Sequence, residues 1–185
     1  MAAFTVLAHD TLTGTAGSWS SSGDLYPIPT TYDHLYMVVS ARSNISAYYD
    51  TAKLTLGTSS AAAVDHSTTT MFVDSSTAES DQTDGDAFIS YFYVPGASVV
   101  ANAFGSMEIW VPNYSTTSGF KVALGSAVVV NNVSYSGSWD GRWMVSHVAG
   151  LKQTLEAINQ VGLTLPSANF IAASTFTLYG VTGAS

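Results

Sequence analysis

The side chains able to carry acid–base, metal or nucleophilic chemistry at neutral pH are few: four His, thirteen Asp and Glu, and no Cys in 185 residues. The His residues stand at positions 9, 34, 66 and 147. None forms H-E-x-x-H, and no two share the i, i+2 or i, i+4 spacing that converges on a metal, so they read as structural. Ser is abundant, with 26 copies, and none sits in G-x-S-x-G. Glycoside hydrolysis needs two carboxylates flanking the scissile bond. The chain has three Glu, at 79, 108 and 156. Glu108 in "SMEIWV" alternates with Met107, Ile109 and Val111 and neighbours Trp110, and no second acid follows at i+2 or i+4. It reads as an outward-facing strand residue, and the expectation is a non-enzymatic protein without a cofactor.

Two binding chemistries remain. The run "DSSTAESDQTDGD" gathers Asp74, Glu79, Asp81, Asp84 and Asp86 without a base. Asp81, Asp84 and Asp86 are the candidate ligands for a hard cation such as Ca2+, although the spacing is not that of an EF-hand and acidic runs are commonly solvated loops. Aromatic faces that stack on sugar rings form the second candidate site, with Trp19, Trp110 and Trp139 foremost and Tyr48, Tyr49, Tyr114, Tyr135 and Trp143 nearby. The competing reading is that Tyr and Trp mark a protein interface, where an apolar body with a polar tip tolerates partial burial.

The elements that must position these residues are strands. Segments rich in β-branched and aromatic residues run at Phe4–Asp10, His34–Ala41, Lys53–Leu56, Phe88–Val94, Met107–Val111, Phe120–Val130, Trp143–Val148, Ile158–Leu165 and Phe170–Val181, separated by Gly, Pro, Asn, Asp and Ser clusters. Eight to ten strands and little helix predict an all-β, antiparallel, jelly-roll-like sandwich in one domain of 185 residues. "LKQTLEAI", Leu151–Ile158, is the one helical candidate. "FISYFYV" places Phe88, Phe92 and Val94 on one face and Ile89, Tyr91 and Tyr93 on the other, so both faces want cover. "LYMVVSA" raises the same question at Tyr36. Either a long loop or a second subunit supplies that cover. Phe4, Val6, Leu7, Tyr36, Ile89, Tyr91 and Tyr93 are the candidate interface, and residues 1–12 a candidate anchoring arm.

Charged residues are only 10% of the chain against roughly 25% in an average soluble protein, so Ser and Thr must supply polarity. A net charge of −8 with five scattered bases argues against nucleic-acid binding. The N-terminus has no basic and apolar signal-like region, and no stretch approaches the ~18 apolar residues of a membrane span. The expectation is synthesis in the cytoplasm, without a membrane partner.

Val111-Pro112-Asn113-Tyr114 with the Ser/Thr-rich loop after it, the early "YDHLYMVVSARS" and the C-terminal Thr177-Leu178-Tyr179-Gly180 together resemble a pattern in structural proteins of tailed bacteriophages, small β-sandwich modules on the virion surface. Residues 1–30 lie outside the resemblance. It implies a jelly-roll-like fold, no catalytic residues, and a symmetric oligomer, commonly a trimer. On this reading the protein is a capsid decoration protein, whose partners are the major capsid protein and itself. The alternatives are a tail-fibre or baseplate module that binds host-surface glycan, and a cellular carbohydrate-binding or adhesin domain.

Overall fold

The computed structural model describes residues 3–21, 25–57, 65–74, 77–130 and 144–183. The described residues form twelve strands rather than eight to ten: β1 (Ala3–Thr11), β2 (Ser18–Ser20), β3 (His34–Ala41), β4 (Tyr49–Leu56), β5 (His66–Asp74), β6 (Thr77–Asp86), β7 (Ile89–Pro95), β8 (Gly105–Pro112), β9 (Lys121–Val129), β10 (Met144–Lys152), β11 (Val161–Thr164) and β12 (Thr175–Thr182). They form an eight-stranded sheet, β1-β12-β3-β8-β9-β10-β5-β6, packed on a four-stranded sheet, β2-β11-β4-β7. Every ladder is antiparallel.

Leaving out β5, β6, β9 and β10, the remaining strands follow the jelly-roll order: first, last, third and sixth in one sheet, and second, seventh, fourth and fifth in the other. The four strands left out continue the larger sheet beyond β8 as an extension. β5 and β6 come from the connection between β4 and β7, and β9 and β10 from that between β8 and β11.

Strict alternation builds the core. Leu35, Met37 and Val39 of β3, Met107, Ile109 and Val111 of β8, and Phe176 and Leu178 of β12 turn inward against Leu54 and Leu163 of the smaller sheet, all at most 2% exposed. Phe176 lies edge-on to Phe170 and stacks on Trp19, with centroids 5.1 and 5.3 Å apart. Among the described residues Arg42, Lys121 and Lys152 are buried as well. Arg42 donates to the carbonyls of Ala97, Val99, Val100 and Ala103 at 3.3, 3.1, 2.7 and 3.2 Å, and so pins the loop after β7.

Four expectations are corrected. Leu151–Ile158 is not a helix: Leu151 and Lys152 end β10, and the rest is turn and irregular chain. The acidic run is the edge strand β6 for most of its length, not a loop. Phe170–Val181 is not one strand, because Ala173 adopts φ 68° and breaks it; Phe170 makes isolated bridges to Ala16 and Ser43, and β12 begins at Thr175.

The fourth concerns β7. Its pairing with β4 runs Ala52 opposite Phe92 and Leu54 opposite Ile89, an irregularity that places Tyr91 at φ 72°. Regular alternation would separate Ile89 from Phe92, but the bulge turns both into the main core, each 0% exposed. Tyr93 packs with Phe72, Val129 and Met144 of the extension. β7 is therefore covered on both faces by the chain's own strands, which removes Ile89 and Tyr93 from any interface.

Candidate functional site: the open face of the eight-stranded sheet

The smaller sheet covers only one face of the larger one. Register fixes what lies on the other, since residues opposite each other point the same way. Tyr179, Tyr36, Trp110 and Leu124 form one row across β12, β3, β8 and β9, and Val38, Glu108, Ser126, His147 and Met71 another from β3 to β5. Half of the exposed large hydrophobic residues among the described residues stand on this face: Phe4, Val6, Val38, Met71, Val73, Val122 and Leu124. Across the outward positions of β1, β12, β3, β8, β9, β10 and β5 there is no Lys or Arg, and Glu108 is the one carboxylate.

The aromatic end of the face is held together by its own contacts. Phe4 lies edge-on to Tyr36 and Tyr179 at 5.8 and 6.1 Å, and Trp110 packs against His34 and Tyr36 at 5.0 and 6.1 Å. Glu108 accepts hydrogen bonds from Tyr36 Oη at 2.8 Å and Ser126 Oγ at 3.0 Å, so the single charge is spent within the sheet. Partial burial and that carboxylate raise the Tyr36 pKa, which keeps its hydroxyl a donor. Shallow depressions of about 340 and 370 Å³ open between these rows, the first at Trp110, Glu108 and His147, the second at Met71, Leu124 and Ala149. The surface offers area, aromatic edges and few charges.

Of the interface residues read from sequence, Phe4, Val6 and Tyr36 lie on this face, and Leu7 packs partly against the core. Tyr91 instead donates to Asp81 Oδ2 at 2.5 Å, which lowers the Asp81 pKa and pushes its own up to about 12. Of the glycan candidates, the described Trp19 and Trp110 are not brought together. Trp19 is 6% exposed between the sheets and donates to Asp10 at 2.6 Å, Trp110 is on the open face, and Trp139 lies outside the described residues. The three aspartates do not converge either: Asp84 accepts from Ser67, Asp86 from the Ala87 amide, and the described residues hold no metal-sized group of three His, Asp or Glu.

Met71, Val73, Val122 and Leu124 escaped the sequence reading, and His147 was read there only as structural. Their signal was present in "TTTMFVD" and "KVALGSAVV", where apolar residues occupy both alternation sets, but nothing local says which set is left uncovered.

A second polar cluster is buried at the far end of the extension, on the inward side. Lys152 pairs with Asp65 at 2.8 Å and Glu156 at 3.3 Å, and His66, 3% exposed, stands 2.9 Å from Asp65. Burial lowers the His66 pKa, against the pull of Asp65 and with a push from Lys152. The unfolded chain then takes up a proton first as the pH drops below 6.5. Stability should be flat above that value and fall below it, by at most about 1.4 kcal/mol per pH unit for this one proton. Urea midpoints measured along an acid series check this. His66→Gln should flatten the slope; an unchanged slope assigns it elsewhere.

Comparison with protein-family models, with curated proteins and with solved structures returns no match. Function is therefore read from the face itself.

Proposed function

We propose that this protein is a non-enzymatic assembly module, a tailed-phage capsid decoration protein that seats the open face of its eight-stranded sheet on the head shell. One observation carries the reading: a broad sheet face that is aromatic at one end, aliphatic at the other and nearly free of charge, on a chain of net charge −8. The seven strands from β1 to β5 in sheet order, ~4.8 Å apart and ~26–30 Å long, give an area near ~800 Å², about one partner's share of a stable protein interface. The exposed apolar side chains on this face, Phe4, Val6, Val38, Met71, Val73, Val122 and Leu124, are the kind of surface that marks an interaction site. The phage setting comes from the motif resemblance at Val111–Tyr114, which runs off the end of β8, and Thr177–Gly180, which lies within β12 of the same sheet.

Co-sedimentation with purified heads lacking this protein tests the reading. Wild type should pellet with the heads. Met71→Lys/Leu124→Lys puts two charges at positions 62% and 49% exposed, so the fold should be unaffected. Losing two central anchors should weaken binding about a hundredfold. Undiminished binding by the double variant would remove the open face as the docking surface. Selective glycan binding that is lost in Trp110→Ala would instead favour host recognition through the Trp110–Glu108 depression.

A further inference from the structure

β1 and β6 are the two edges of the eight-stranded sheet, and they are chemically opposite. β6 carries Glu79, Asp81, Asp84 and Asp86, a density of charge that repels any strand of this acidic protein laid beside it. β1 has one acid, Asp10, near its end and tied to Trp19. Its first half, Ala3–Val6, is uncharged and regular until the bulge between Val6 and Ala8. Phe4 and Val6 are each 56% exposed, and Phe4 is already fixed in place by Tyr36 and Tyr179. An edge of this kind is a template for another strand.

We propose that β1 pairs antiparallel with β1 of a second copy, about a two-fold axis at Thr5. Two molecules of charge −8 can meet closely only where charge is missing, and this edge meets that condition where β6 does not. With Thr5 on the axis, Phe4 of each copy lies opposite Val6 of the other, giving two aromatic–β-branched cross-strand pairs. The contact is self-complementary and closes at two subunits, whereas β1 on β6 would propagate as an open ribbon. It yields a dimer rather than the trimer implied by the phage resemblance. It joins two open faces into one continuous surface and does not depend on what that surface binds.

Sedimentation equilibrium over a wide dilution series should give twice the 19.4 kDa chain mass at high concentration. Val6→Lys should be monomeric with an unchanged thermal midpoint, while Met71→Lys, on the open face away from the edge, should remain dimeric. The chain has no Cys, so single introductions are unambiguous. Oxidised Thr5→Cys should form an intermolecular disulfide, and Thr11→Cys, beyond the bulge, should not. A monomeric wild type, a dimer that survives Val6→Lys or is lost in Met71→Lys, or no cross-link at Thr5→Cys would each overturn the proposal.

Discussion

A chain ending at Ser174 is expected not to fold. The deletion removes β12, which lies between β1 and β3 and hydrogen-bonds to both. β1 would lose its one strand partner among the described residues, and β3 would become an edge with its ladder groups exposed. Phe176 and Leu178, 0% and 1% exposed, leave the core with it, and Trp19 and Phe170 lose the ring they pack on. Full burial of such side chains stabilises by about 1.5–3 kcal/mol each. Those two losses and a broken pair of ladders rival the whole ~5–15 kcal/mol of a typical domain. Far-UV and near-UV circular dichroism of residues 1–174 should show no cooperative melting; a sharp transition would mean that the remaining strands can re-pair.

Phe92→Ala is expected to cost about 3–5 kcal/mol, the range for emptying a large ring from a core that cannot collapse. Phe92 is 0% exposed and sits where the jelly roll meets the extension. Its Cε1 lies 2.7 Å from the point a side-chain carbon on Gly125 would occupy, so β9 approaches the ring as closely as a glycine allows. Ile89, on the same core side of β7, fills the space above Gly150 in the same way. Jelly roll and extension therefore share one core through β7, and the loss should shift a single unfolding transition seen equally by far-UV and near-UV signals. A small shift, or two separated transitions, would show that the extension is an independent unit.

Much of the architecture was legible. His34–Ala41 was read with its observed bounds, and most other strands within a few residues, because β-branched and aromatic runs between Gly, Pro and Asn turns carry a local signal. β5 and β6 were missed because Thr, Ser and acids dominate them; they are strands through pairing with β10 and with each other, not through their own hydrophobicity. The reversal of Ile89 was illegible for a similar reason. A bulge inverts alternation, and it is held by the Tyr91–Asp81 bond to a strand ten residues away.

The candidate site divides along the same line. Residue types alone determined the all-β class, the poverty of charge and the absence of Cys chemistry, and alternation set Tyr36 opposite Leu35, Met37 and Val39. Period-two alternation assigns side chains to two faces, but it does not say which face a second layer will cover. That depended on which strands pair at long range: β1 with β12 across nearly the whole chain, and four added strands that widen one sheet to eight while the other stays at four. A four-stranded layer covers one side of the larger sheet, so tertiary structure alone decided that Met71, Leu124 and Trp110 share an open surface while Trp19 and Tyr93 are enclosed.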